Sequence, residues 1–439
     1  MRLGFIIPDV AEPWDSVHQG IGYVAAFAKQ ELPGCECAVF RTYGRERSEV
    51  REFVARGWDL LGLTMTAVTV HEASRIARMP RLFGLPSKVV LGGAHVTSEE
   101  EAVFEQVPGA DFAIVGEGEH TFVELARALA SGGELGAIAG LMFRDARGIH
   151  KNPPRPWEPD LERFPPPDRT LFEYPYHFHS IIATRGCPFA CAFCNSSANW
   201  GRRYRVRKPS AIADEMRAVI ALYGKDRPFA FNDDIFNIKK EWVLEVCDEL
   251  RRLDVKWWIR GLKVELVDEE MVDAFASSGC LGGACGIESA DNGVLKQLGK
   301  GTTIEKMLRG VELFRARGVH LLGQFMIGNL GDTIETVKRS IEVAKRFDES
   351  TFGIAYPIPH TKLYDYVKQH GLFLDPPVPI PWGDQVIDYV KFATPEFTVE
   401  ERLEAVRLAL EARVYREVDY SKPPPGEFGA TDSRVPKPA

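Results

Sequence analysis

Arg185-Gly186-Cys187-Pro188-Phe189-Ala190-Cys191-Ala192-Phe193-Cys194 decides how the rest of this chain is read. Its cysteines stand four and three residues apart, among Gly and Pro neighbours that favour an exposed loop over a packed core. Thiolates at that spacing can converge from one loop on three corners of a 4Fe-4S cube, leaving the fourth iron without a protein ligand and open to a substrate group. A structural zinc site is the main alternative. It normally closes four ligands around the metal, and although no fourth Cys or His is adjacent, His177 and His179 are near in sequence.

Outward from this loop the pattern is strand alternating with helix. Strands are expected at residues 180–184, 228–232, 256–260, 281–288, 320–327 and 352–356, separated by helices at 210–223, 239–253, 269–277, 304–317 and 333–346. Strands and helices alternating in this way build an open, partial barrel, a partial (β/α)6 arrangement, whose chemistry belongs at the carboxyl ends of its strands. The cysteine loop follows the first of those strands.

Upstream, Asn152 to Asp168 (NPPRPWEPDLERFPPPD) can continue neither a helix nor a central strand and reads as an extended linker. Before it, strands at 3–8, 36–40, 60–65, 88–91 and 112–115 alternate with helices at 20–30, 48–56, 72–82, 99–106 and 121–130, the pattern of a doubly wound parallel sheet. Small-residue turns follow three of these strands: Leu63-Thr64-Met65-Thr66, Gly92-Gly93-Ala94-His95 and Gly116-Glu117-Gly118-Glu119. A glycine can simply make a tight turn. Three such turns on one sheet edge, where open α/β sheets bind ligands, point to a binding edge. Downstream, residues 375–384 (DPPVPIPWGD) lead to a helix from Val399 to about Tyr415, and the tail from Asp419 to Ala439 is expected to be poorly ordered.

The fold expected is therefore α/β: a Rossmann-like domain over residues 1–145, a proline-rich linker over 146–178, a partial barrel over 179–372, and a small C-terminal helical extension with its tail over 373–439. Among 439 residues a formal charge of -8 disfavours a nucleic-acid or anionic-membrane binder. Only Gly201 to Lys208 (GRRYRVRK) is locally basic, either a solvated loop or an anion site. No stretch approaches the roughly 18 apolar residues that span a bilayer, and the start, MRLGFIIPD, reads as a first strand rather than a signal peptide. A cytoplasmic, monomeric protein is expected, and there the eight cysteines stay reduced.

The cysteine triad, with Phe193 before its last member, resembles the signature of the radical S-adenosylmethionine (SAM) superfamily. The resemblance implies that the open iron is chelated by the amino and carboxylate groups of SAM. An electron from the cluster then cleaves SAM to a 5′-deoxyadenosyl radical. Further motifs fall at later strand ends. Phe231-Asn232-Asp233-Asp234-Ile235-Phe236 stands where relatives contact the SAM amino group, and a carboxylate suits an ammonium; an N-cap by Asp234 is the alternative. Gly286-Ile287-Glu288-Ser289 resembles a Gly-x-Glu-Ser motif that contacts SAM, and a charge in an apolar strand needs a partner. Arg260 is a candidate for the SAM carboxylate or a surface ion pair. Gln324 to Asn329 resembles a fifth-strand segment but departs from it at Asn329-Leu330-Gly331, and His360 stands where relatives more often have glycine. Candidate catalytic residues are thus Cys187, Cys191, Cys194 and Glu288; Phe193, Asp233, Asp234, Arg260, Glu288, Ser289 and Gln324 are candidates for SAM.

Residues 20–28 (GIGYVAAFA), the Gly92-Gly93 turn and residues 110–121 (ADFAIVGEGEHT) resemble the cobalamin-binding domain that precedes many radical SAM barrels, so the resemblance covers about residues 1–369. It implies that Thr64, Thr66, Gly92, Gly93, His95, Gly116 and Glu117 cradle cobalamin. The Asp-x-His-x-x-Gly motif that supplies a lower cobalt ligand elsewhere is absent. Asp15-Ser16-Val17-His18-Gln19-Gly20 has those residue types at the wrong spacing. The function implied is a cobalamin-dependent radical SAM methyltransferase acting on an unactivated carbon of a small molecule, with an external donor such as flavodoxin or ferredoxin. Cyclisation, oxidation or rearrangement without methyl transfer is the second reading, and a non-catalytic cluster or cobalamin module the third.

Overall fold

Short apolar strands begin the chain: β1 (Arg2–Ile7), β2 (Glu36–Arg41), β3 (Leu60–Thr64), β4 (Lys88–Gly92) and β5 (Phe112–Ile114). In this computed structural model, which describes residues 1–8, 17–173, 177–382 and 385–412, they pair in parallel in the order β2-β1-β3-β4-β5. β1 and β3 are buried along nearly their whole length, as central strands covered on both faces must be. The order reverses between β1 and β3, the switch point at which a doubly wound sheet opens a crevice at its carboxyl edge.

Two strands escape the sequence pattern. β6 (Leu141–Asp145) and β7 (Gly148–Lys151) extend the same sheet antiparallel beyond β5; their exposed outer residues blur the alternation that would have marked them. The expected helix at 72–82 is broken into Val70–Ala77 and Met79–Leu82, with Pro80 in the first turn of the second piece. The helix expected at 99–106 is likewise split, into Ala94–Glu99 and Val103–Gln106 joined by one 3-10 turn.

The proline-rich segment is extended but not free. Asn152 Nδ2 donates to the carbonyls of Leu135 (2.7 Å) and Ile138 (2.8 Å), Arg155 Nε donates to Thr121 Oγ1 (2.8 Å), and Asp168 pairs with Lys29 at 2.5 Å. It is strapped to the first unit of the chain, residues 1–179.

The second unit starts at Ser180. Its sheet runs β15-β14-β13-β12-β11-β8, from β8 (His179–Ile181), β11 (Phe229–Phe231), β12 (Trp257–Leu262), β13 (Cys280–Glu288), β14 (His320–Ile327) and β15 (Glu349–Ile354), with β11 to β15 parallel and no closure into a full barrel. Between β8 and β11, β9 (Thr184–Arg185) pairs antiparallel with β10 (Arg205–Val206). Helices Pro209–Tyr223, Lys240–Leu253, Glu269–Ser277, Ile304–Ala316 and Ile334–Ala344 cover the sheet. Phe236, Trp257, Phe275 and Phe314 are almost wholly buried between these layers.

The C-terminal extension is more than a helix. β16 (Phe373–Trp382) pairs antiparallel with β17 (Gln385–Phe392) before the helix Val399–Glu411. Prolines at 376, 377, 379 and 381 each remove a ladder donor. A two-stranded ribbon tolerates them: Ile380, Val390 and Phe392 are buried, and the prolines next to Ile380 keep the backbone extended. The expected poorly ordered tail, 419–439, lies outside the described residues, as does the end of the helix expected to reach 415. Among the described residues no helix is long and apolar enough to cross a membrane.

Candidate functional site

The cysteine loop leaves β9 through Gly186, whose φ of +89° and whose missing Cβ both matter: a Cβ there would lie 2.0 Å from the Arg203 carbonyl oxygen. Cys187, Cys191 and Cys194 are free thiols, each half-buried. The loop is tied down at Ala192, whose N–H donates to the Leu298 carbonyl (2.8 Å) and whose carbonyl accepts from Leu363 N–H (2.9 Å). Phe193 packs with Met326, Leu330, Ala355 and Leu363, anchoring the last cysteine.

Burial raises all three thiols, Cys194 to about 12, so without metal they are held protonated. Metal binding would displace those protons. At Cys191 the ammonium groups of Lys300 and Lys263 oppose that rise. No three His, Cys, Asp or Glu side chains among the described residues are arranged to hold a single metal ion. Three soft sulfur donors on one loop fit an iron-sulfur cube with one iron open.

Asp233 and Asp234, adjacent after β11, do different things. Asp233 is 7% exposed, and its Oδ1 accepts from Ala183 N–H (2.9 Å) and Thr184 N–H (2.7 Å), stitching the chain that leads into the cysteine loop to the end of β11. Burial pushes its carboxyl up to about 7 against those donors. Asp234 is reachable by solvent yet surrounded by protein, the condition of a side chain facing a concavity, and that surround raises its carboxyl too. Its Oδ2 accepts from Ser196 Oγ (3.1 Å), while Ser196 N–H donates to Cys194 Sγ (3.4 Å). Gly261 in β12 permits this geometry, since a Cβ there would lie 2.2 Å from the Asp233 carbonyl oxygen.

Glu288 ends β13 at φ +66°, opposite Phe325 and just past a register shift against β14 that skips Ile287. A non-glycine residue held there carries strain of the kind found at functional sites. Its Oε1 accepts from Lys300 Nζ at 2.9 Å, and both side chains are almost buried. Burial works against the lysine's charge, but Glu288 beside it holds it above the ordinary lysine value. Lys263 Nζ pairs with Glu265 (2.7 Å), donates to the Lys300 carbonyl (3.3 Å) and lies 4.1 Å from the centre of the Phe189 ring in the cysteine loop.

The remaining candidates lie along the same strands. Ser289 is buried and its Oγ accepts from Asp291 N–H (3.2 Å). Arg260 and Gln324 are half-buried on β12 and β14, Gln324 in register with Gly286. His360 is exposed at φ +65°, a left-handed backbone that glycine adopts without steric cost. Lys300, Lys263 and Ser196 were not picked out from the sequence. The Gly299-Lys300-Gly301 turn is the one local signal for Lys300, and a lysine in a turn ordinarily reads as exposed.

In the first unit, Thr64, Thr66, Gly92, Gly93, His95, Gly116 and Glu117 gather at the carboxyl ends of β3, β4 and β5. Gly93 (φ +103°) must lack a Cβ, which would lie 2.8 Å from the Met65 carbonyl oxygen, whereas a Cβ on Gly92 would meet nothing within 4 Å. The edge is therefore open there, with Thr66 and Val68 exposed on it. Two residues face elsewhere: His95 Nε2 contacts Gln106 Oε1 (2.8 Å), and Glu117 Oε2 accepts from Glu158 N–H (3.1 Å). His18 Nδ1 accepts from Ile21 N–H (3.2 Å) as a helix cap, and its Nε2 lies 3.4 Å from Thr64 Oγ1. Burial lowers it to about 4, so it is a neutral, engaged imidazole. Asp15 of the off-register motif lies outside the described residues.

Comparison with known proteins agrees with both halves. A radical SAM superfamily model matches residues 181–344 and a B12 binding domain model matches residues 15–126. An uncharacterised methyltransferase of Pyrococcus horikoshii is 32% identical over 326 residues, 72% of this chain and 71% of that protein. The anaerobic magnesium-protoporphyrin IX monomethyl ester cyclase of Rubrivivax gelatinosus is 27% identical over 392 residues, covering 83% of this chain and 69% of that protein. In fold, the chain is similar to the radical SAM methyltransferase TsrM of Kitasatospora setae, solved with cobalamin and a [4Fe-4S] cluster bound, with a TM-score of 0.71 at 22% identity over 84% of this chain and 75% of that one.

Proposed function

The chain belongs to the cobalamin-dependent radical SAM methyltransferase family, and from that premise we propose that it binds a 4Fe-4S cluster, SAM and cobalamin and methylates an unactivated carbon of a small-molecule substrate. One observation carries the reading. Ser196 links the Cys194 sulfur to the Asp234 carboxylate, so that a cluster ligand and an acceptor for the SAM ammonium are held in one hydrogen-bonded unit.

When bound, the cluster supplies the electron that cleaves SAM and cobalamin supplies the methyl group. The protein's own contribution is positioning. Cys187, Cys191 and Cys194 would hold the cluster. Asp234 and Glu288 receive the polar groups of SAM, with Arg260, Ser289 and Gln324 lining the same strand ends and Phe193 fixing the loop. Asp233 orients this edge through backbone N–H groups rather than reaching the cofactor. In the first unit Thr64, Thr66, Gly92, Gly93 and Gly116 form the open edge for cobalamin, with His95 and Glu117 bracing it from behind. An external flavodoxin- or ferredoxin-like donor delivers the electron.

Anaerobic reconstitution followed by reductant, SAM, cobalamin and candidate substrates tests this. The expected products are 5′-deoxyadenosine together with S-adenosylhomocysteine that depends on added cobalamin. The relationship to the R. gelatinosus cyclase supports a second reading, ring formation or rearrangement without methyl transfer. Formation of 5′-deoxyadenosine alone with the true substrate would select it, and absence of both products would defeat both readings.

A further inference from the structure

The turn that follows β14 is gripped from two sides. Asp332, 2% exposed, accepts through Oδ2 from Gly328 N–H (3.1 Å) and Asn329 N–H (2.8 Å), and through Oδ1 from Thr336 Oγ1 (2.8 Å). Asn329, 1% exposed, donates through Nδ2 to the Met326 carbonyl (3.1 Å) and reaches the Glu288 carbonyl at 3.5 Å, while its Oδ1 has no hydrogen-bond partner. This is the segment where the sequence departs from the usual fifth-strand ending.

The second grip comes from Arg402 in the C-terminal helix, beyond the residues matched by the radical SAM model. Its guanidinium is 2% exposed and lies 4.3 Å and 4.9 Å from the ring centres of Phe392 and Phe397. Nε donates to the Phe397 carbonyl (3.0 Å) and Nη1 reaches the Gly328 carbonyl at 3.5 Å. At Gly328, φ +96°, a Cβ would lie 2.1 Å from Nη1, so only glycine admits the arginine. Asp332 is the acidic group that stabilises its charge. Burying a guanidinium costs folding free energy unless it is well paired, and this one, with Nη2 unpartnered, carries part of that cost.

We propose that Arg402 is a positioning residue for SAM: through Gly328 and Asp332 it fixes the 328–332 turn and sets Asn329 beside the Glu288 backbone, so that a helix outside the barrel sets SAM affinity. The inference rests on the SAM site proposed above. Two neighbouring aromatic rings and the carbonyls of Phe397 and Gly328 orient a planar fork in a way that an ammonium does not reproduce.

Equilibrium dialysis of SAM against the full-length, cluster-reconstituted and unreduced protein tests it. R402M is expected to weaken binding at least tenfold, and R402K, which keeps the charge without the fork, several-fold. V406A, a buried position on the same helix, lowers the thermal midpoint but leaves the affinity in place. Unchanged affinity in R402K and R402M, or an equal loss in V406A, would overturn the inference; should R402M fail to fold, R402K carries the same decision. If the unsubstituted protein binds no SAM, the site reading falls and the inference falls with it. Binding that the arginine variants leave untouched removes the inference alone.

Discussion

Lys300 Nζ and Glu288 Oε1 meet at 2.9 Å with side-chain exposures of 8% and 11%, which makes this a buried ion pair at the carboxyl edge of the sheet. It lies over Gly286, where a Cβ would be 2.4 Å from Glu288 Oε1 and 3.1 Å from Lys300 Nζ. Glu288 also holds a left-handed backbone, at a cost of about 1–2 kcal/mol for an L-residue. The pair gives a buried acidic side chain the partner that burial of a charged group requires, and orients it.

Removing one partner leaves the other buried and unpaired. K300M is expected to lower the unfolding free energy by about 3–5 kcal/mol, and the double variant K300M/E288L to regain most of it. Denaturant unfolding of the metal-free protein measures this. A K300M loss below about 1 kcal/mol would show that the pair is not insulated from water.

Cys191→Ala removes one of the three cysteines proposed to hold the cluster. Bound iron is expected to collapse and 5′-deoxyadenosine to vanish. Cys247→Ala, at a fully buried thiol within the helix Lys240–Leu253, serves as the control; it costs stability by opening a small cavity and keeps its iron. Retention of a full complement of iron by Cys191→Ala would contradict the ligand assignment.

Asp233 makes stability fall with pH. Burial raises its folded value to about 7, from about 3.9 in the unfolded chain. Its contribution is therefore complete below about pH 4 and is lost as pH climbs through 7, a change of up to about 4 kcal/mol. Asp233→Asn keeps an acceptor for the Ala183 and Thr184 N–H groups and does not titrate. The stability of D233N relative to the unsubstituted protein should rise between pH 4 and 7 and then level off. Parallel pH profiles for the two proteins would refute this.

His18 is a cap. His18→Ala should cost about 1 kcal/mol of stability and leave the visible spectrum of bound cobalamin unchanged, since Nδ1 is engaged by Ile21 N–H. A spectral shift on substitution would reopen a role as a cobalt ligand.

Elements with strong periodicity were legible. Eight-residue β14 coincides with its expected limits, and the first helix, Gln19–Glu31, is displaced by one residue at each end. β15 starts three residues before the expectation, at Glu349, where polar residues obscure the apolar run. The β16–β17 ribbon was hidden by its prolines, whose effect on a strand depends on which neighbours they face.

Local patterns were written in the sequence: cysteine spacing, glycines after strands and isolated carboxylates are properties of short segments, and they singled out the cysteine loop, Asp234 and Glu288 as candidates. Partnership was not. Lys300, twelve residues beyond Glu288, and Arg402, seventy-four beyond Gly328, reach those partners only when β13, β14 and the C-terminal helix pack together. Whether a charged side chain is solvated or buried against its opposite is settled by that packing, because the free energy of a charge depends on what surrounds it after folding.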